Sequence, residues 1–193
     1  MKIIGVRNGN GRELPQQVYL IADSAVIRTN KPFFLPHFAK SFTGRAAIAL
    51  HIDRLGKHIE PRFAHRYCGA LAPAIKVEAH DIDAQQESEQ HSALAHGFDG
   101  ALLMGDFSAV DDKTIINSTT VNIECNGSAT GSRSLDQMGV DYRELISQLS
   151  VYFTLKMGDI IVVELDNKDL QLKMGDTLTG KLGEKPQLTI RVK

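Results

Sequence analysis

Apolar residues recur along this chain in short runs of strand length. Runs at 2–6, 17–21, 46–52, 100–104, 120–125, 159–165, 177–182 and 187–192 predict strands. In the fifth of these, Val121, Ile123 and Cys125 alternate with polar neighbours, and the Asn126-Gly127 that follows is a strong hairpin-turn signal. The period lengthens toward that of a helix in three places. Residues 60–68 predict a first helix, with Pro61 tolerated in its opening turn. Residues 82–96 predict a second, largely polar helix that stops at Gly97. Residues 141–153 predict a third, in which Leu145, Ile146, Leu149 and Tyr152 share one face and Asp141 with Glu144 resembles a capping pair.

Strands outnumber helices and do not alternate with them regularly, which predicts an α+β fold rich in antiparallel sheet. The 193 residues suit one domain spanning 1–193, and no linker interrupts them. The peptide Leu-Lys-Met-Gly-Asp occurs at 155–159 and again at 172–176. Gly-Asp before an apolar run is a turn entering a strand, so the two copies predict two similar turns rather than an internal repeat.

Composition narrows the partners. Hydrophobic residues make up 42% of the chain and charged ones 23%, with a net charge of −1. No basic run or aromatic-interleaved basic patch points to nucleic acid. No apolar run approaches the roughly 18 residues of a membrane span. Cys68 and Cys125 make no disulfide framework, and reduced thiols in a cytoplasmic protein are the expectation.

Several blocks carry a resemblance. Lys31-Pro32-Phe33-Phe34-Leu35-Pro36 is followed by Gly56-Lys57-His58-Ile59 and Phe63-Ala64-His65-Arg66-Tyr67. Gly97-Phe98-Asp99-Gly100 comes next, then Phe153-Thr154-Leu155-Lys156-Met157-Gly158-Asp159-Ile160-Ile161, with Met174-Gly175-Asp176 recurring after it. The segment Ala74-Ile75-Lys76-Val77-Glu78-Ala79-His80-Asp81 completes the set. Over most of its length the chain resembles the fumarylacetoacetate hydrolase (FAH) family. The resemblance implies a mixed β-sheet roll with a few flanking helices, a homodimer, and hydrolase, isomerase, hydratase or decarboxylase chemistry on 2-oxo or 1,3-dioxo acids. It also implies a divalent metal, held by a strand motif E-x-E-L and an aspartate, that stabilises developing enolate charge.

At the positions that match those ligands the chain has Arg45, Ala47 and Lys76. None is a hard oxygen donor, so no Mg²⁺ or Ca²⁺ cofactor is expected. Other matched positions differ too. The family's lysine before "[GS]-F-D" is His96, and its glycine-rich loop falls on Val163-Glu164-Leu165-Asp166-Asn167-Lys168-Asp169-Leu170. The N-terminal motif keeps Arg7-Asn8 and loses an aromatic and a histidine. The expectation is a degenerate, non-catalytic site in which Arg45, Lys76 and His96 form a cationic pocket for a small carboxylate. The alternative is a metal-independent hydrolase, isomerase or lyase using Lys76, His96 or His80, with Lys76 lowered in pKa for proton transfer or a Schiff base. If Glu78 or Asp81 instead pairs with Arg45 and Lys76, the pocket is inert. A histidine metal site from His51, His58, His65 or His80 matches no standard spacing.

Overall fold

The computed structural model describes residues 1–7, 17–82, 93–165 and 169–193, with the backbone alone for Ala93 and His96. Among them, thirteen strands and three α-helices follow in the order β1 (Ile3–Arg7), β2 (Gln17–Ile21), β3 (Val26–Arg28), β4 (Ser41–Ile52), α1 (Pro61–Ala64), β5 (Cys68–His80), α2 (Ala93–Gly97), β6 (Leu102–Met104), β7 (Ser108–Ala109), β8 (Val121–Cys125), β9 (Ser128–Arg133), α3 (Tyr142–Tyr152), β10 (Ile160–Glu164), β11 (Leu170–Gln171), β12 (Thr177–Leu182) and β13 (Lys185–Arg191). This is the α+β mixed roll that the patterning and the resemblance implied.

The larger sheet runs β2-β1-β10-β4-β5-β6-β3, with β11 added to β4 and β7 to β5. Its pairs are antiparallel except β1 with β10 and β3 with β6. The smaller sheet runs β13-β12-β8-β9. Between β8 and β9, Asn126 and Gly127 both have positive φ, at 51° and 78°, as the hairpin signal required.

The long pair β4–β5 is the spine. Alternation along it sends Phe42, Ala46, Ile48, Leu50 and Ile52 of β4, with Leu71, Ile75 and Val77 of β5, into a core shared with the smaller sheet and α3. Leu145, Ile146 and Leu149 of α3 join that core. Asp141 caps α3, its carboxylate accepting from the Arg143 N–H. The opposite face of the spine packs a second cluster, small where the first is large. Ala47 opposes Ala74 and Ala49 opposes Ala72, and Ile3, Ile160, Val162, Leu102 and Met104 close around them.

Two helical expectations change. The helix expected over 60–68 is a single turn, Pro61–Ala64, because the chain must be extended from Cys68 to enter β5. Of the helix expected over 82–96, residues 83–92 lie outside the described residues, and its end forms α2. The two Leu-Lys-Met-Gly-Asp copies are the same turn twice. Gly158 and Gly175 have φ of 85° and 93°, and in each turn the aspartate carboxylate accepts from the lysine N–H at 2.8 Å.

Candidate functional site

On the second face of the large sheet the apolar packing gives way to charge. Arg7, Tyr19, Arg45, Lys76, Glu78 and Glu164 come from β1, β2, β4, β5 and β10. The backbone register aligns them: Arg45 is the cross-strand partner of Lys76, Thr43 of Glu78, and Arg7 of Glu164.

Glu164 is the hub. It is 2% exposed, at the end of β10. Its Oε2 accepts from Arg7 Nε at 2.9 Å and from an Arg45 guanidinium nitrogen at 3.5 Å, and its Oε1 accepts from the Tyr19 hydroxyl. Arg7 also donates to Glu78 at 2.9 Å, so one guanidinium ties two strands' carboxylates together. Gly5 makes room for this: a Cβ there would stand 2.3 Å from the Tyr19 ring, which crosses β1 to reach Glu164. Burial, reinforced by Glu164, raises the Tyr19 pKa far above the ordinary phenol value, so the hydroxyl is a donor at neutral pH.

Arg45 reaches outward from the same cluster. Its Nε and a terminal nitrogen bind both oxygens of Asp169, at 2.7 and 3.0 Å. This is a two-pronged carboxylate clamp. The Asp169 hydrogen bond is also the largest influence raising the Arg45 pKa.

Lys76 is 1% exposed, among the largest fully buried side chains. Its ammonium donates to the Val77 carbonyl at 2.6 Å and lies 5.9 Å from the centre of the Tyr19 ring. Among the described residues no carboxylate is within ion-pair distance of it. Burial lowers its pKa from 10.5 to about 8, against the opposing pull of Glu164 and Glu78.

The sequence-derived candidates thus divide. Arg45 and Lys76 come together. Among the described residues their two positive charges, with that of Arg7, stand beside the carboxylates of Glu164, Glu78 and Asp169. His80 lies further along β5, its Nε2 hydrogen-bonded to Thr43 Oγ1 at 2.7 Å. His96 sits on α2, which packs against β5 and β2; its side chain is outside the described residues. Asp81 is exposed with φ of 58°, and Asp99 accepts from Ser24 at 3.2 Å, away from the cluster. Arg7, Tyr19 and Glu164 were missed as site residues. Only the retained Arg7 in the N-terminal motif signalled any of them.

A divalent cation here would need oxygen ligands. Positions 45, 47 and 76 offer a guanidinium, a methyl group and an ammonium, and the buried Glu164 carboxylate is engaged by Arg7, Arg45 and Tyr19. Among the described residues no group of three or more His, Cys, Asp or Glu is arranged to hold a metal ion. Among the described residues, the donor set at this site does not fit the cation that the resemblance implies. No described helix is long and apolar enough to cross a membrane.

A mixed β-roll with a polar cluster on one face of its long strand pair defines the class. The model of the Fumarylacetoacetate (FAA) hydrolase C-terminal family matches residues 6–193, and the chain belongs to that family. It is 26% identical over 186 residues to the oxaloacetate tautomerase fahd-1, mitochondrial, of Caenorhabditis elegans, covering 91% of this chain and 85% of the relative. Its fold matches a 2-hydroxyhepta-2,4-diene-1,7-dioate isomerase from Mycobacterium marinum with a TM-score of 0.86 at 23% identity, over 99% of this chain and 73% of that one. It matches a fumarylpyruvate hydrolase from Pseudomonas aeruginosa, solved with Mn²⁺ and pyruvate, with a TM-score of 0.86 at 16% identity, over 100% and 89% of the two chains. At those identities the solved structures speak to the fold.

Proposed function

We propose that this chain is a divergent FAH-family protein in which its own cations have replaced the divalent metal, and that it binds a small carboxylate at Arg45 and Lys76 without metal-dependent catalysis. The observation that carries the reading is the register of β4 on β5, which sets a clamp-forming arginine opposite a buried ammonium. Arg45 already holds a carboxylate, that of Asp169, whose side chain is 41% exposed. A ligand carboxylate would enter by exchange with Asp169, so the charge balance of the cluster is kept. The pyruvate in the Pseudomonas aeruginosa structure favours a 2-oxo acid over a simple anion. His96, on the helix against β5 and β2, remains a candidate third contact. A homodimer and a cytoplasmic setting belong to the same proposal.

The test is thermal unfolding with Mn²⁺ and, separately, with oxalate, for the wild type and for the Arg45→Glu/Ala47→Glu/Lys76→Asp variant. Oxalate is expected to raise the wild-type midpoint while Mn²⁺ leaves it unchanged, because a ligand that binds only the folded state stabilises it. The variant is expected to reverse this preference. Stabilisation of the wild type by Mn²⁺ overturns the reading.

A further inference from the structure

We propose that Lys76 is an imine-forming lysine: its amine condenses with the keto carbon of a 2-oxo acid whose carboxylate is held by Arg45, so that a covalent iminium serves as the electron sink at this site. The inference rests on the anion-binding reading of Arg45 and Lys76 and extends it from binding to a covalent step.

Three features of the geometry carry it. The first is how Lys76 is held. A buried ammonium in a structural role is ordinarily paired with a carboxylate. Among the described residues Lys76 instead has one hydrogen bond, to the Val77 carbonyl, while the neighbouring Glu164 and Glu78 are bound to Arg7. Its amine is therefore not locked into an ion pair that a reaction would have to break. The second is spacing. Arg45 and Lys76 are direct cross-strand partners on one face, with Cβ atoms about 5 Å apart. A 2-oxo acid places its electrophilic carbon one bond from its carboxylate, so a molecule clamped by Arg45 presents the carbonyl to the adjacent strand. The third is polarity of access. Arg45 and Asp169 lie toward solvent, with side chains 26% and 41% exposed, whereas Lys76 lies inside. The carboxylate end meets the clamp first, and the keto carbon follows inward. The lowered Lys76 pKa, about 8, adds support by keeping a fraction of the amine neutral near physiological pH.

The step balances without an external oxidant or reductant. The neutral amine attacks the keto carbon, a C–N bond forms, and the carbonyl electron pair moves to oxygen. A proton passes from nitrogen to that oxygen, giving a carbinolamine. The hydroxyl leaves as water after a second protonation, and loss of the remaining N–H proton yields the imine, whose protonated form is the iminium. One water is released for each C=N formed.

The experiment is reductive trapping. The full chain is incubated with pyruvate, treated with sodium borohydride and mapped by peptide mass spectrometry, with Lys76→Arg in parallel. The expected result is one adduct per chain on Lys76, with a mass gain of pyruvic acid less one oxygen atom, lost in Lys76→Arg. If the arginine does not fit the buried site, Lys76→Met is used, and the wild-type map by itself locates the adduct. Oxalate has no ketone and separates the two proposals. If oxalate stabilises the wild type but pyruvate leaves no adduct on Lys76, the imine is overturned and anion binding stands. If both fail, both readings fall. Adducts spread over surface lysines and unchanged in the variant also overturn the imine.

Discussion

The two faces of the β4–β5 pair are made from the same residues in alternation, yet they do different things. One face is continuous and apolar: Ile48, Leu50, Leu71 and Ile75 pack on α3 and the smaller sheet. The other begins apolar and small, with Ala47, Ala49, Ala72 and Ala74, and then turns to charge at Arg45, Lys76 and Glu78. The first face can lose shape only at the expense of the fold. The second holds its charged side chains on a backbone register that the apolar first face fixes.

The sharpest way to break this comparison is to cut each face once. Leu50→Ala removes a fully buried side chain from the first face and is expected to cost about 4 kcal/mol in urea unfolding, with oxalate binding retained. Glu164→Ala on the second face strands Arg7, Arg45 and the Tyr19 hydroxyl, and is expected to cost about 3 kcal/mol, near the lower bound for breaking a buried pair because Arg7 keeps Glu78 and Arg45 keeps Asp169. Unlike Leu50→Ala, it should also raise the response to oxalate, because it removes a carboxylate that competes for Arg45. Equal oxalate responses in the two variants would erase the distinction between the faces.

Lys76→Met asks what the buried charge does to stability. Lys76 titrates at about 8 in the folded protein and near 10.5 when exposed. Below pH 8 both states carry the charge and burial acts against folding in full. Between 8 and 10.5 the folded state has released a proton that the unfolded state retains, so wild-type stability rises with pH. Lys76→Met is thus expected to be more stable than wild type by about 3 kcal/mol below pH 8, with the gap closing toward pH 10.5. A gap that does not change with pH would contradict the buried, lowered lysine.

The smallest change is Asp169→Asn. It removes the exposed internal competitor for Arg45 and is expected to alter stability by less than about 0.5 kcal/mol. Oxalate affinity should nevertheless rise severalfold, as measured by calorimetric titration. Unchanged or weaker affinity would mean that Asp169 is not exchanged on binding.

Much of the fold is readable from local pattern. Alternation found β8, and Asn126-Gly127 marked the turn into β9. The i, i+4 spacing and the Asp141 cap found α3. The strand β5 was not readable in the same way. Its segment Leu71-Ala72-Pro73-Ala74-Ile75 is buried on both faces, so it shows no alternation, and it contains a proline that argues against a central strand. Pro73 is accommodated because it falls between Leu71, the last residue paired with β7, and Ala74, the first paired with β6, where the ladder on that side is interrupted. Arg45 and Lys76 could be found because each falls inside a fixed strand motif. Arg7, Tyr19 and Glu164 meet across separations of 145 and 157 residues, a juxtaposition that no local pattern encodes.

The pairing of β1 with β10 has a consequence for the order of events in synthesis. Glu164 pairs in parallel with Arg7, which precedes it by 157 residues. Until Glu164 leaves the ribosome, Arg7, Tyr19 and Arg45 have no hub, and Lys76 has no closed face to be buried in. A nascent chain that has already emitted both long strands still lacks the site. Its assembly therefore follows closure of the long loop between β1 and β10. The polar cluster is complete only once β10 has joined β1 and β4.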